Sequence, residues 1–335
     1  MLKPILSVRN LTTELRIGNR VFPVVQNISF DLFLGKCIAL VGESGCGKSM
    51  TALSLMRILP AFQTLPSSGQ VIYKGRNLLT LTEREMRSIR GGKIAMIFQD
   101  PAMALNPVYT IGNQVVESVE LHLGIYGQEA EERALQALAE VGITNPRERF
   151  HDYPHQMSGG MKQRVMIAMA LVAEPDILIA DEPTTALDVT IQKQVLDLIR
   201  DLQQKKGMAL LLITHDMGVV AEMADEVVIM YAGQDVEHGS VYDIFDNKAH
   251  PYTRGLFQSR VGFVEPGMPL QPIKGSVPSL EHYPKGCRFH PRCPYVMPRC
   301  CHEPIEMYQC VSETSHQVRC VLYDGSEESK EVTRL

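Results

Sequence analysis

Positive charge is not in surplus in this chain. Thirty-three Lys and Arg stand against 38 Asp and Glu, a net charge of −5, so nothing global draws it to nucleic acid or to an anionic membrane. Long apolar runs are missing too. No stretch approaches the roughly 18 uninterrupted apolar residues that a membrane span needs, and the longest candidates, such as Met208 to Ile213, have the length of buried strands. The opening Met1-Leu2-Lys3-Pro4-Ile5 has no apolar core leading to a small-residue cleavage site. No signal peptide is expected, therefore, and a cytoplasmic location is, with any membrane association supplied by a partner. Cysteine is scarce over most of the length: of eight, only Cys37 and Cys46 precede residue 287. What is present, 45% hydrophobic and 21% charged residues, is the composition of a chain that buries a full core. Its 335 residues suit about two domains.

Residues 42–49 read G-E-S-G-C-G-K-S, which fits G-x-x-x-x-G-K-[ST]. Gly42, Gly45 and Gly47 let successive backbone N–H groups turn toward phosphate oxygens. Lys48 brings a point charge to the β/γ-phosphates, and the Ser49 hydroxyl can ligate Mg²⁺. Eight residues alone are a modest signal. The flanks strengthen it, because Cys37 to Val41 is a short apolar strand and Met50 to Met56 is helical, ending before Pro60. Strand, loop and helix is the setting that this motif requires.

Further along, β-structure is expected over Ile5 to Leu15 and Val21 to Leu32, with a turn near Gly18-Asn19, and a buried strand over Lys93 to Phe98. Thr110 to about Gly142 reads as helical. A helix from Gly160 through Ala173 follows from Met161, Val165, Ala168, Met169 and Val172 at spacings of three and four. Strand Ile177 to Ala180, helix Val189 to Gln204, strand Ala209 to Ile213 and helix Met217 to Met223 complete an alternation. Alternation implies a mostly parallel sheet covered on both faces, with the helical interval between Gln99 and Ala173 as an insertion. From Gly262 to Pro284, Pro and Gly mark a linker into a cysteine-rich tail, and the charged stretch from Asp324 to Leu335 is expected to be disordered.

Asp181-Glu182 place two carboxylates at the end of a central strand. The first suits a Mg²⁺ shell and the second can polarise an attacking water. A solvated acidic turn is the plain alternative, and the phosphate loop displaces it. His215 ends another strand in I-T-H-D. Alone it reads as a structural cap, although its place after a strand favours contact with the γ-phosphate, and Gln99 alone reads as a solvated strand end.

In this order the phosphate loop, Gln99, M-S-G-G-M (157–161), I-L-I-A-D-E (177–182), A-L-D (186–188) and His215 resemble the ATP-binding-cassette (ABC) ATPases over about residues 5 to 250. The fold so implied is α/β: a P-loop ABC nucleotide-binding domain of mixed sheet core and helical subdomain. Residues 1–255 would form it, with the helical subdomain at about 100–173, and 256–335 would be a small cysteine-rich C-terminal extension. The resemblance further implies a head-to-tail dimer sandwiching two ATP molecules. ATP would be held by Gly42, Glu43, Ser44, Gly45, Cys46, Gly47, Lys48, Ser49 and Met50 of one chain, and by Ser158, Gly159, Gly160 and Asp188 of the other. Mg²⁺ falls to Ser49, Gln99 and Asp181, and catalysis to Glu182, His215 and Gln99. Small residues at a helix N-terminus offer N–H groups and a positive dipole to a γ-phosphate; a simple N-cap is also a correct description of Ser158. The family's adenine-stacking aromatic aligns with Leu15, which lacks stacking geometry, so either Phe22 substitutes or base selectivity and affinity are weaker.

Longer stretches, H-D-Y-P-H-Q-M-S-G-G-M-K-Q-R, D-E-P-T-T-A-L-D-V-T-I-Q and H-P-Y-T-R-G-L, look like ATPase subunits of bacterial dipeptide/oligopeptide importers, with nickel and antimicrobial-peptide uptake ATPases nearly indistinguishable. The partners implied are a sister ABC ATPase subunit, two integral-membrane permease subunits at the bacterial inner membrane and an extracytoplasmic solute-binding protein, and no nucleic acid. A soluble ABC ATPase acting on nucleic acid or the ribosome is the rival class; its usual second cassette or coiled-coil insertion is not visible.

Cys287-x5-Cys293-x6-Cys300 and Cys320 supply four thiolates. From spacing alone, tetrahedral Zn²⁺ leads an iron–sulfur cluster, with unligated buried thiols third, although the gaps exceed the usual C-x₂₋₄-C. G-C-R-F-H-P-R-C-P-Y resembles the importer ATPases' C-terminal extension, which implies a [4Fe–4S] cluster on these four. Cys301 beside Cys300 leaves the third ligand open, and Cys310 is an extra.

Overall fold

The computed structural model describes residues 3–60, 62–185, 187–260, 262–263, 269–310, 315–327 and 329. In chain order the elements are β1 (Leu6–Ile17), β2 (Arg20–Leu32), β3 (Cys37–Val41), α1 (Lys48–Met56), β4 (Ser68–Tyr73), β5 (Arg76–Asn77), α2 (Glu83–Ile89), β6 (Ile94–Ile97), α3 (Pro101–Ala104), α4 (Ile111–Leu123), α5 (Gln128–Glu140), α6 (Pro146–Arg149) and α7 (Gly159–Leu171). There follow β7 (Ile177–Asp181), α8 (Val189–Lys206), β8 (Ala209–Thr214), α9 (Met217–Met223), β9 (Glu226–Tyr231), β10 (Gln234–Ser240), α10 (Val241–Asp246), α11 (Pro251–Gln258), α12 (Pro298–His302), β11 (Tyr308–Gln309) and β12 (Gln317–Val318). Among the described residues no helix is long and apolar enough to cross a membrane.

The chain divides into two compact units. One comprises residues 1–6, 32–37 and 80–213, the other 7–31, 38–79 and 214–335. In the first, β6, β7 and β8 pair in parallel in that order. Ile177 to Ala180 and Leu211 to Ile213 are fully buried, as continuous Val/Ile/Leu runs in a two-sided parallel sheet require. The helical insertion differs from a single run over 110–142. It breaks at Gly124, the left-handed C-cap of α4, and restarts at Gly127, the N-cap of α5; such backbone is where glycine costs least. In α7 the expected stripe is only part of the story. Val165, Ala168 and Val172 are buried and Met161 and Met169 half-buried, while Met166 and Ile167 are buried as well, so the helix is enclosed on more than one face.

The second unit holds a four-stranded sheet in the order β2-β1-β4-β5. It also holds β3 paired in parallel with β9, which turns antiparallel onto β10; β12 and β11 extend that edge. Sequence alternation alone had not indicated β4, β9 or β10. The core here joins early and late sequence: Val41, Ile229, Tyr231, Tyr252, Leu256 and Phe289 share one apolar cluster, with Tyr231 edge-on to both Tyr252 and Phe289. The expected disorder from Asp324 is corrected over its first residues. Asp324 receives the Arg299 guanidinium at 2.5 Å and the Ser326 N–H at 2.8 Å, and buried Ser329 donates to the Val321 carbonyl. Glu328 and residues 330–335 of that tail, and Ala186 of the A-L-D motif, lie outside the described residues.

Candidate functional site

The glycine-rich loop leaves β3 and enters α1 at Lys48, two residues earlier than the helical pattern suggests. Gly47 caps the helix in left-handed conformation, with no side-chain cap bond of its own. A helix N-terminus entered through a glycine-rich loop offers N–H groups and a positive dipole to an anion. Glycine at 42 is a steric necessity, since a Cβ there would lie 2.2 Å from the Met230 carbonyl oxygen. Lys48 is buried, and its ammonium donates to the carbonyls of Gly42 (2.9 Å) and Glu43 (3.1 Å). Both are neutral acceptors, which an anionic phosphate oxygen outcompetes. Cys46 lies beneath, where burial raises its thiol pKa. Ser44 and Gly45 are exposed, and Ser49 and Met50 half-buried. Leu15 and Phe22 are half-buried residues of β1 and β2; Leu15 makes an isolated backbone bridge to Thr64.

In the first unit β7 ends on Asp181, 5% exposed, and the chain turns at Glu182. Glu182 has a φ of 44°, left-handed for a non-glycine residue, which costs on the order of 1–3 kcal/mol and concentrates at functional sites. The turn is held by the Glu182 N–H donating to the Ile213 carbonyl at 2.8 Å. Its carboxylate accepts from Gln99 Nε2 at 3.1 Å and Thr185 Oγ1 at 2.9 Å, so two residues assigned separately from the sequence meet here. Ser158 is exposed and caps α7, its Oγ accepting from Met161 N–H. Asp188 does the same for Ile191 on α8. Gly159 is open at the surface. Gly160 is tighter, with a Cβ there coming 2.9 Å from Ile191 Cγ2, so part of the Ser-Gly-Gly requirement is helix packing. His215, in the second unit, is exposed directly after β8.

Cys287, Cys293, Cys300 and Cys320 all line one small pocket, together with His250, His290, Ile305, Val321 and Leu322. None is in a disulfide. Cys300 faces the pocket; Cys301 does not line it, and Cys310 lines a different one with His316 and Tyr323. Burial, with the neighbouring thiols adding, pushes Cys287 and Cys320 up to about 12 and Cys293 to about 11. Without a Lewis acid these are protonated, unreactive thiols. Among the described residues no three His, Cys, Asp or Glu side chains are gathered closely enough to hold a single metal ion.

Two residues at the phosphate loop had no sequence-level assignment. The Glu43 N–H donates to the Tyr252 hydroxyl at 2.8 Å. The Glu43 carboxylate is gripped by both terminal nitrogens of Arg292, at 2.7 and 3.1 Å. The available signal was that Tyr252 lies in H-P-Y-T-R-G-L and Arg292 in G-C-R-F-H-P-R-C-P-Y, the stretches that carried the narrower resemblance.

With this geometry in place, comparison with known proteins is direct. The ABC transporter family matches residues 25–185, and the oligopeptide/dipeptide transporter C-terminal region matches residues 236–300. A dipeptide transport ATP-binding protein of Bacillus subtilis is 46% identical over 327 residues, 98% of this chain and 97% of the relative. The chain belongs to the ATP-binding subunits of the ABC transporter oligopeptide/dipeptide family. A probable peptide ABC transporter ATP-binding protein of Sinorhizobium fredii is 50% identical over 300 residues, 88% of this chain and 89% of the relative. Among solved structures, a dimeric ATP-binding cassette in a post-hydrolysis state with ADP and Pi is 26% identical with a TM-score of 0.62, covering 70% of this chain and 98% of that one. That cassette is matched almost whole, and this ABC ATPase carries residues beyond it. Its fold is that of a P-loop ABC ATPase.

Proposed function

We propose that this ABC ATPase is the energy-coupling subunit of a bacterial importer of di- or oligopeptides. It would work at the cytoplasmic face of the inner membrane beside a sister ATPase, two permease subunits and an extracytoplasmic solute-binding protein. The carrying observation is the buried Lys48 ammonium resting on two carbonyls at a helix N-terminus capped by glycine, in a chain 46–50% identical to peptide and dipeptide ATP-binding proteins.

In this reading residues 42–50 take the triphosphate of one ATP, and Ser158, Gly159, Gly160 and Asp188 present N–H groups and caps to the nucleotide of the opposing subunit. Ser49, Asp181 and Gln99 would supply oxygens for Mg²⁺, which would neutralise phosphate charge when bound. Glu182 takes the proton of the attacking water, His215 contacts the γ-phosphate, and Gln99 bonded to Glu182 registers the site's state. Phe22 packs on adenine. Residues 1–255 act as the ATPase domain and 256–335 as an extension whose Cys287, Cys293, Cys300 and Cys320 hold a [4Fe–4S] cluster. The donor set fits such a group, being four thiols walled by Ile305, Val321 and Leu322. Bound, the cluster would keep the thiols deprotonated and cross-link residues 287–320.

The test is reconstitution with the permease and receptor subunits in vesicles. ATP-dependent uptake of labelled dipeptide, lost in Lys48→Ala, supports the reading. Uptake of nickel but not peptide would move the assignment within the branch, and copurification with ribosomes or nucleic acid instead of hydrophobic subunits would overturn it.

A further inference from the structure

Three polar groups of one loop residue are held by three different elements. Glu43 gives its N–H to the Tyr252 hydroxyl, lends its carbonyl to the Lys48 ammonium, and fixes its carboxylate on Arg292. Arg292 is deeply placed: its side chain is 5% exposed, against 30% for Glu43. The remaining guanidinium N–H groups tie the Lys274 and Gly275 carbonyls, and the cation lies 5.7 Å from the Tyr231 ring centre. A two-pronged arginine–carboxylate pair transmits orientation as well as charge.

The backbone of Arg292 belongs to the cysteine pocket. It sits in a single tight turn between Cys287 and Cys293, both of which line that pocket. His290 N–H donates to the Cys287 carbonyl, Arg292 N–H to Phe289, and Cys293 N–H to His290, at 3.0, 2.9 and 3.3 Å. The Cys287 N–H is in turn bonded to the Cys300 carbonyl at 2.8 Å. Whatever fixes the sulfurs of Cys287 and Cys293 therefore fixes the turn that aims Arg292. A continuous path results: pocket, turn 287–293, Arg292, Glu43, Lys48.

We propose that Arg292 couples the cysteine pocket to the phosphate loop, so that the metal centre in the pocket sets the affinity for nucleotide. This rests on the reading that the four cysteines hold a metal centre. Arg292 is a positioning residue in this account, acting on the triphosphate through Glu43 and Lys48. Linkage makes the effect mutual: nucleotide must hold the metal more firmly by the same factor that the metal strengthens nucleotide binding.

The experiment uses the full chain, measuring the Kd of a fluorescent ATP analogue before and after the metal is stripped by a chelator. Stripping is expected to weaken binding about fivefold or more, the lower end of ordinary site-to-site coupling. Arg292→Gln, still loaded, should bind weakly and respond no further to stripping, and Glu43→Gln should behave alike while leaving the extension's own sequence intact. A second readout needs no stable stripped form: ATP should slow metal release to the chelator in the wild type and not in either variant. A purely structural ion pair would lower the thermal midpoint of both variants yet leave the metal's effect on Kd in place. That outcome overturns the proposal, as does a loaded wild type whose Kd ignores stripping. A chain purified without iron or zinc would instead overturn the underlying metal reading.

Discussion

Replacing Glu182 by Gln isolates one proton-accepting oxygen and disturbs little else. Gln99 Nε2 and Thr185 Oγ1 both donate to the same carboxylate oxygen, and an amide oxygen can accept both. The Glu182 N–H bond to the Ile213 carbonyl is backbone and survives, and the left-handed φ of 44° strains either residue equally. The charge on those two bonds is lost, and with it about 1 kcal/mol or less of stability. Turnover should not be spared. A positioned general base is worth about 10²- to 10⁴-fold, or roughly 3–5 kcal/mol of barrier. Phosphate release at saturating Mg-ATP should fall by at least the lower factor while the Kd for ATP stays put. Glu182→Gly serves as control: it relieves about 1–2 kcal/mol of left-handed strain and forfeits two hydrogen bonds of about 1 kcal/mol each. It should melt close to wild type and be as slow as Glu182→Gln. Wild-type phosphate release in either variant, or a loss of ATP binding that matches the loss of turnover, would refute the assignment of this carboxylate as base.

Lys48→Ala removes a charged donor that phosphate oxygens would take over from two carbonyls; at about 1.5–3 kcal/mol for a charge-assisted bond, the Kd for ATP should rise at least about tenfold by equilibrium titration. Gly42→Ala forces a methyl to within 2.2 Å of the Met230 carbonyl oxygen, and calorimetry should show about 1–3 kcal/mol of destabilisation; an unchanged midpoint would mean that the loop path is wrong. Cys320→Ser should lower iron and acid-labile sulfide together, whereas Cys301→Ser, outside the pocket, should lower neither. Phe22→Ala should weaken ATP more than free triphosphate, since only the former carries a purine to pack on the ring.

The parts of this chain that were legible in sequence are those whose chemistry is local. Gly42 to Ser49 must be contiguous to wrap one triphosphate, and Asp181-Glu182 must follow an apolar run to stand at a strand end. Helix α9 and strands β3, β7 and β8 were bounded to within a residue because apolar runs stop where polar caps begin. The illegible parts have equally physical reasons. Gly124 and Gly127 break one expected helix into two, yet isolated glycines also occur inside helices, so the pattern could not tell a break from a cost. Strand β10, the partner of β9, carries Glu237, fully buried and bonded to His316 and to the Ala249 and His250 N–H groups. That burial rests on partners far along the chain and writes no alternating pattern.

The Arg292–Glu43 pair is the clearest case. Its members are 249 residues apart, and each, read in place, has a sufficient ordinary explanation: Glu43 as a variable position of the phosphate loop, Arg292 as one more cation in a tail. The cysteines drew attention because four thiols have a recognisable spacing, whereas an arginine between two of them has none. Yet Phe289, three residues before Arg292, is buried against Tyr231 and Tyr252, and Tyr252 supports the same loop residue from the other side. The extension thus shares the core from which the phosphate loop emerges. A segment packed in this way cannot change state at its sulfurs without being felt at Glu43, because close-packed interiors transmit displacement instead of absorbing it. The tail is on this argument part of the nucleotide site's wall, which is why a metal-dependent Kd, and not merely a metal-dependent melting point, is the expected result.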